Sequence, residues 1–129
     1  MTHPILILQG MLVAALRADD ELADIAVFDT PPTGKSPPYL AIARHDVVPR
    51  DGDEAPGWEH RVLILVWASE PSRKAVLVLA ERVLAVGLGA LSGELVVTHS
   101  VHERTDTAID AETGLARAAV AMRFCTEPS

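Results

Sequence analysis

Five histidines, one cysteine and eighteen carboxylates are the side chains of this 129-residue sequence best suited to carry a proton, a metal or a reactive electron pair. Their spacing gives them little chemistry to do. His99 and His102 stand three apart in a segment with strand character, where residues three apart point to opposite faces. They are not expected to share a metal. Ser100 lies between them, but no nucleophile elbow surrounds it. His45-Asp46 and His60 flank one polar segment and could meet across a hairpin, which makes them the least implausible acid–base cluster. As a metal site they lack two further ligands of suitable type. Gly87-Leu88-Gly89 follows a helical segment instead of opening one, the wrong side for cradling phosphate. Cys125 alone excludes an internal disulfide framework and a multi-cysteine zinc site, and reads as a small residue of the last strand. No catalytic residue, cofactor or metal is predicted.

The elements that would position these groups belong to a folded chain of one domain's length, 49% hydrophobic and 22% charged. No run approaches the roughly 20 apolar residues of a membrane span. Only Met-Thr-His-Pro precedes the first apolar run, so no positively charged secretory leader is expected, and a reducing cytoplasm is the expected place of synthesis. Aromatic residues make up 4%, too few for base-stacking platforms. The net charge of −7 has the wrong sign for a protein that coats nucleic acid. That charge is concentrated. Asp46, Asp51, Asp53, Glu54 and Glu59 share one segment with a single base, Arg50. Glu103, Asp106, Asp110 and Glu112 share another with Arg104. The rest of the sequence is neutral. Both segments read as polar loops, over Asp46 to Glu59 and Thr105 to Gly114.

Around these loops the pattern predicts α+β architecture in the order α-β-β-β-α-β-β, with two helices on a mixed, mostly antiparallel sheet of four or five strands. Pro4 to about Ala18 is the first helix, burying Ile5, Leu8, Leu12 and Ala15 or Leu16. Strands follow at Ile25 to Phe28 and Tyr39 to Ala43. The strongest strand is His60 to Ala68, with Val62, Ile64 and Val66 on one face and Leu63, Leu65 and Trp67 on the other. Apolar on both faces, it belongs mid-sheet, covered on both sides by its own chain or by another. Ser69-Glu70-Pro71 signals a helix start, with Ser69 or Glu70 as cap, and Gly87 and Gly89 a left-handed stop. About Glu94 to Glu103 and Leu115 to Cys125 complete the sheet.

The second helix is apolar nearly all round. Val76, Leu79, Ala80 and Val83 make one stripe that can lie on the sheet. Leu77, Val78, Leu84 and Ala85 are left over on other faces. Either the first helix packs across them or a neighbouring subunit does, and they are the predicted subunit interface.

A family resemblance runs through these features from about Leu8 to Phe124. It is carried by the first helix with Leu12 and Leu16, the Pro-Pro-Tyr-Leu entry at Pro37 to Leu40, and His60 followed by Val-Leu-Ile-Leu-Val-Trp at Val62 to Trp67. Pro71, the Leu-Ser-Gly-Glu-Leu-Val-Val run at Leu91 to Val97, Arg104 and the closing Ala-Val-Ala-Met-Arg-Phe strand at Ala119 to Phe124 continue it. In order and spacing the chain resembles the tail-terminator, or tail-completion, proteins of long-tailed bacteriophages and phage-derived gene transfer agents.

The resemblance implies a structural role in a virion or phage-like particle, at the head–tail junction. It implies a ring, typically of six copies, that ends the tail tube and contacts both the major tail tube protein and a head-side stopper or connector. DNA would pass through the lumen without specific binding. Under that reading Asp51, Asp53 and Glu54, or Asp106, Asp110 and Glu112, face the lumen or the tube. A stopper or adaptor of the same neck is the nearest alternative. A small α+β enzyme or ligand-binding domain built on His45, His60 and Asp46 is the one from a different class.

Overall fold

The computed structural model describes residues 2–50 and 56–128. Its elements are α1 (Pro4–Ala18), β1 (Ala26–Phe28), β2 (Tyr39–Pro49), β3 (Trp58–Trp67), α2 (Arg73–Gly87), β4 (Leu95–Ile109) and β5 (Ala116–Pro128). A short 3-10 turn, Asp20–Leu22, follows α1. The strands form one sheet in the order β1-β2-β3-β5-β4, with β1 parallel to β2 and every other pair antiparallel. The α+β class and the element order are those expected from the sequence.

Both helices lie on the same face of the sheet. Val62, Ile64 and Val66 of β3 stand in register with Met122, Val120 and Ala118 of β5, and all six are buried. Leu8, Leu12 and Leu16 of α1 join them in one core with Leu40 and Ile42 of β2 and Val76, Ala80 and Val83 of α2. The opposite parity of β3 has no such cover. Leu63, Leu65 and Trp67 are half-buried and belong neither to the core nor to the side chains packed around it. Of the two layers that the sequence of β3 asks for, this chain supplies one.

Several boundaries move. The segment from Asp46 was expected to be loop, yet β2 continues to Pro49 and β3 starts at Trp58, pairing Asp46 with Arg61 and Pro49 with Trp58. Polar side chains conceal a strand that has solvent on one side, and proline is tolerated because it stands at the strand's end. The second acidic segment is likewise mostly strand. Thr105–Ile109 continue β4, and only residues 110–115 turn.

The second helix starts later than expected. Ser72, not Ser69 or Glu70, is the cap, its Oγ accepting from the Ala75 amide at 3.1 Å, and Pro71 stays outside. No left-handed stop ends it either: Gly87 is its last residue, and Leu88 caps it in right-handed conformation. Gly87 is small for a different reason. A Cβ there would come within 2.7 Å of Met122 Sδ, so the missing side chain lets α2 press onto β5. In α1, Leu8, Leu12 and Leu16 are buried as expected, Met11 and Val13 are buried as well, and Ile5 is only half-buried.

The two faces of β3 should therefore differ in mutational cost. Ile64→Ala removes fully buried volume and should lower the stability of the isolated chain by about 2–5 kcal/mol. Leu63→Ala, one residue away on the uncovered face, should cost under about 1.5 kcal/mol. Urea unfolding of both variants tests the assignment, and equal losses would contradict it.

Candidate functional site

Three features are assembled by this fold: a chain of polar groups inside the sheet, a charged border on its open face, and an apolar stripe on α2.

The polar chain crosses three strands. His45 of β2 and His60 of β3 meet, with Nε2 of the first 2.8 Å from Nδ1 of the second. His60 Nε2 then lies 2.9 Å from Thr126 Oγ1 of β5. The hairpin contact expected between the histidines forms, but Asp46 is not part of it. Successive strand residues alternate faces, so Asp46 sits on the other side of the sheet, hydrogen-bonded by Arg44 at 2.8 Å. The third member, Thr126, was missed because its register with Trp58 is a long-range pairing that no local pattern signals.

His60 is 0% and Thr126 1% exposed, and burial holds both imidazoles neutral, each lowered to about 4. For His45 the nearby Asp46 opposes that shift, and for His60 the other ring reinforces it. Two neutral rings offer one proton each. His45 Nδ1 is buried without a partner, so the cheaper arrangement leaves it as a bare acceptor. His45 Nε2–H then donates to His60 Nδ1, and His60 Nε2–H to Thr126. Among the described residues no carboxylate bonds to either ring, and the run of contacts pins β2, β3 and β5 together.

The open face carries a border of ion pairs. Arg123 donates to Glu59 at 2.9 Å, with Glu103 3.8 Å from its Nε. Asp106 lies 3.1 Å from Arg104 and 3.8 Å from Arg117. Arg123 beside Glu59 holds that carboxyl below its ordinary range. Asp106 is thus a paired strand residue and not a loop charge. Asp110 instead closes the β4–β5 turn, its carboxylate accepting from the Thr113 hydroxyl and amide at 2.8 and 2.9 Å, which also lowers its pKa. Glu112 is exposed in that turn. Asp51, Asp53 and Glu54 lie outside the described residues. Among the described residues no three His, Cys, Asp or Glu side chains group to hold a metal ion, and no helix is long and apolar enough to cross a membrane.

On α2, Leu77 is 43% and Val78 59% exposed, Ala85 is exposed, and Leu88, just past the helix end, is 42% exposed. Leu84 differs from them: it is half-buried against the core. α1 does touch α2, but at its flank, where Arg82 pairs with Asp19 and Glu21 and holds the Asp19 carboxyl below its ordinary range. The outer stripe stays uncovered.

The fold is thus a five-stranded sheet with both helices on one face, and among the described residues it leaves two apolar surfaces bare. The family model of tail completion protein gp17 matches residues 10–127. The chain belongs to that family, which makes it a structural component of a phage-like tail. A solved structure entitled "Virion of native gene transfer agent (GTA) particle" contains a chain of the same fold. The TM-score is 0.82 at 22% identity, over 98% of this chain and 99% of that one. No curated protein matches.

The neutral histidines give a pH dependence of definite sign. In the unfolded chain a histidine takes up its proton near pH 6.5, and in the folded one near 4. The unfolded state binds more protons in between, so stability is full above about pH 6.5 and falls towards pH 4. Urea midpoints measured from pH 7.5 to 4.5 should decline through this window. The decline should flatten in the His45→Gln/His60→Gln double variant, and an unchanged slope in that variant would refute the assignment.

Proposed function

We propose that this chain forms the ring that closes the head-proximal end of a phage-like tail tube. Six copies stop tube polymerisation and present a platform to the head-side stopper or connector, while the other side of the ring rests on the major tail tube protein. DNA crosses the lumen during delivery. The work is structural, without catalysis or a cofactor.

The observation that carries this reading is the bare stripe of α2. Leu77, Val78 and Ala85 stand out on a chain whose core is already closed by Val76, Ala80 and Val83 on the other side of the same helix. Such a stripe calls for a partner, and a tail-completion protein meets its own copies at the tube end. Leu84, half-packed beneath, supports the stripe from the core side. The charge pattern agrees. Arg44, Arg104, Arg117 and Arg123 are each engaged with carboxylates, so these four arginines of the sheet offer little free positive charge to grip a sliding duplex. In the proposed ring, Asp51, Asp53 and Glu54, together with Asp110 and Glu112, line the lumen or the tube-facing side and repel phosphate. Asp106, engaged by two arginines, contributes less.

Leu77→Asp and Val78→Asp should leave the monomer folded, since both side chains are exposed, and lower particle yield by at least about tenfold, because a charge is then buried in the contact. Circular dichroism and electron microscopy of particles read the two effects. Normal particles from both variants would remove α2 from the interface. Neutralising Asp51, Asp53 and Glu54 together should reduce DNA transfer more than particle number. Unchanged transfer would take those residues out of the lumen. Imaging the intact particle locates the chain directly, and a position elsewhere in the neck would make it a stopper or adaptor.

A further inference from the structure

A ring of identical copies in head-to-tail contact needs two different patches that fit each other. The α2 stripe is one. We infer that the other is the open face of the sheet, and that α2 of each copy lies along β3 and β5 of the next. This rests on the ring reading above and goes beyond it by naming the receiving surface.

The receiving face has the composition of a protein-binding surface. Trp67 and Tyr39 stand opposite each other on adjacent strands, their rings 6.5 Å apart, and Phe28 packs edge-on to Tyr39 at 5.9 Å. These are three of the chain's five aromatic residues, on the side of the sheet that its own helices leave bare. Aromatic residues are enriched at protein contacts, where their area is buried at little entropic cost. Leu63 and Leu65 continue the surface along β3, and the half-buried Ala121 in register with Leu63 keeps it low enough to admit a helix.

Size and charge match as well. From Lys74 to Leu88 the stripe is about 21 Å long, at 1.5 Å per residue. From Arg61 to Trp67 the strand surface is about 20 Å long, at 3.3 Å per residue. Glu81 sits in the middle of the stripe, between Val78 and Ala85, and makes no salt bridge or hydrogen bond among the described residues. Arg61 borders Leu63 on the open face and also makes none, although the neighbouring arginines are all engaged. Glu81 has no partner of opposite sign among the described residues, and Arg61, although Asp46 stands opposite it on β2 and Glu59 lies near enough to feel its charge, makes no direct ion pair, so docking the stripe on the sheet gives Glu81 and Arg61 each a contact of opposite sign. A second copy of this chain carries both complements, which favours it over the tube or connector protein as occupant.

The test uses charge exchange and cross-linking in assembled particles. Glu81→Arg and Arg61→Glu should each reduce incorporation of the chain by about tenfold, because like charges then oppose across the contact. The double variant should recover to within about threefold of the parent. In parallel, a chain carrying Val78→Cys and Leu63→Cys together, on a Cys125→Ser background, should give on mild oxidation a ladder of multimers ending at the closed ring. Each single-cysteine chain should give at most dimers.

Failure of the exchange to restore incorporation, or a ring seen without the ladder, would overturn the helix-on-sheet contact while leaving the ring itself standing. Cross-links that join this chain to a different protein would overturn the choice of a second copy as occupant. A chain present singly in particles and monomeric in solution would overturn the ring reading and this contact with it.

Discussion

The governing constraint is a strand that is apolar on both sides in a chain with only one layer of helices. β3 is flanked by β2 and β5 and so has no free edge. Its Val62, Ile64 and Val66 are sealed beneath α1 and α2, while Leu63, Leu65 and Trp67 stay half-buried, with no helix of the described residues over them. Placing one helix on each face would have covered both. Arg82 helps to prevent that, since its ion pairs with Asp19 and Glu21 fasten the end of α1 to α2 and keep the helices side by side. The close approach of Gly87 to Met122 then fixes the pair on β5. Concentrating the helices produces a well-packed core and an uncovered face from the same chain, which suits a part that is finished only in an assembly.

A sheet with one bare face gains from a rigid interior, and the buried histidines supply it. His60 sits at the middle of a run from His45 to Thr126 that links three strands through side chains as well as through the backbone. Buried polar groups favour one register because any slip leaves them unpaired. Here a slip of one residue would also carry Leu63 and Leu65 into the core and Val62 and Ile64 out of it. The polar run and the alternation of β3 thus enforce the same alignment. The arrangement matters most where a flat surface has to present side chains at fixed spacing to a partner.

Much of this was legible in the sequence, and the misses share a cause. Alternation in Val62–Trp67 and helical spacing in Pro4–Ala18 are local signals, and both elements stand where they were expected. So does the contact between His45 and His60, since the two flank one hairpin. Asp46–Pro49 and Thr105–Ile109 read as loop in the sequence because their side chains are polar, yet they pair with Trp58–Arg61 and Ala116–Val120. Half-exposed strands at the wet side of an antiparallel sheet carry the composition of loops. The acidic segments looked like free charge for the same reason. In the fold, Asp46, Glu59, Glu103 and Asp106 lie across from or next to arginines, pairings that exist only once the strands are aligned. Gly87 shows the reverse case: a glycine that suggested a turn is small because a methionine on β5 needs the room.

Pairing on the open face also bears on what a ring of such subunits can do. Acid–base pairs that close on themselves around an apolar centre remove long-range attraction and leave short-range fit to decide which surface docks. A face with a large uncompensated charge would repel its own copies, and identical copies are the partners a ring requires. Part of the surplus negative charge is kept instead at the β4–β5 turn, with Asp110 and Glu112, and Asp51, Asp53 and Glu54 carry more of it in the sequence. In the proposed ring, that separation lets subunits approach one another while the assembled surface keeps one sign. In the proposed ring, charges near the lumen then need only be acidic and unpaired, with no specific geometry. The arginine-bordered sheet face, by contrast, would have to keep its register to keep its fit in that ring.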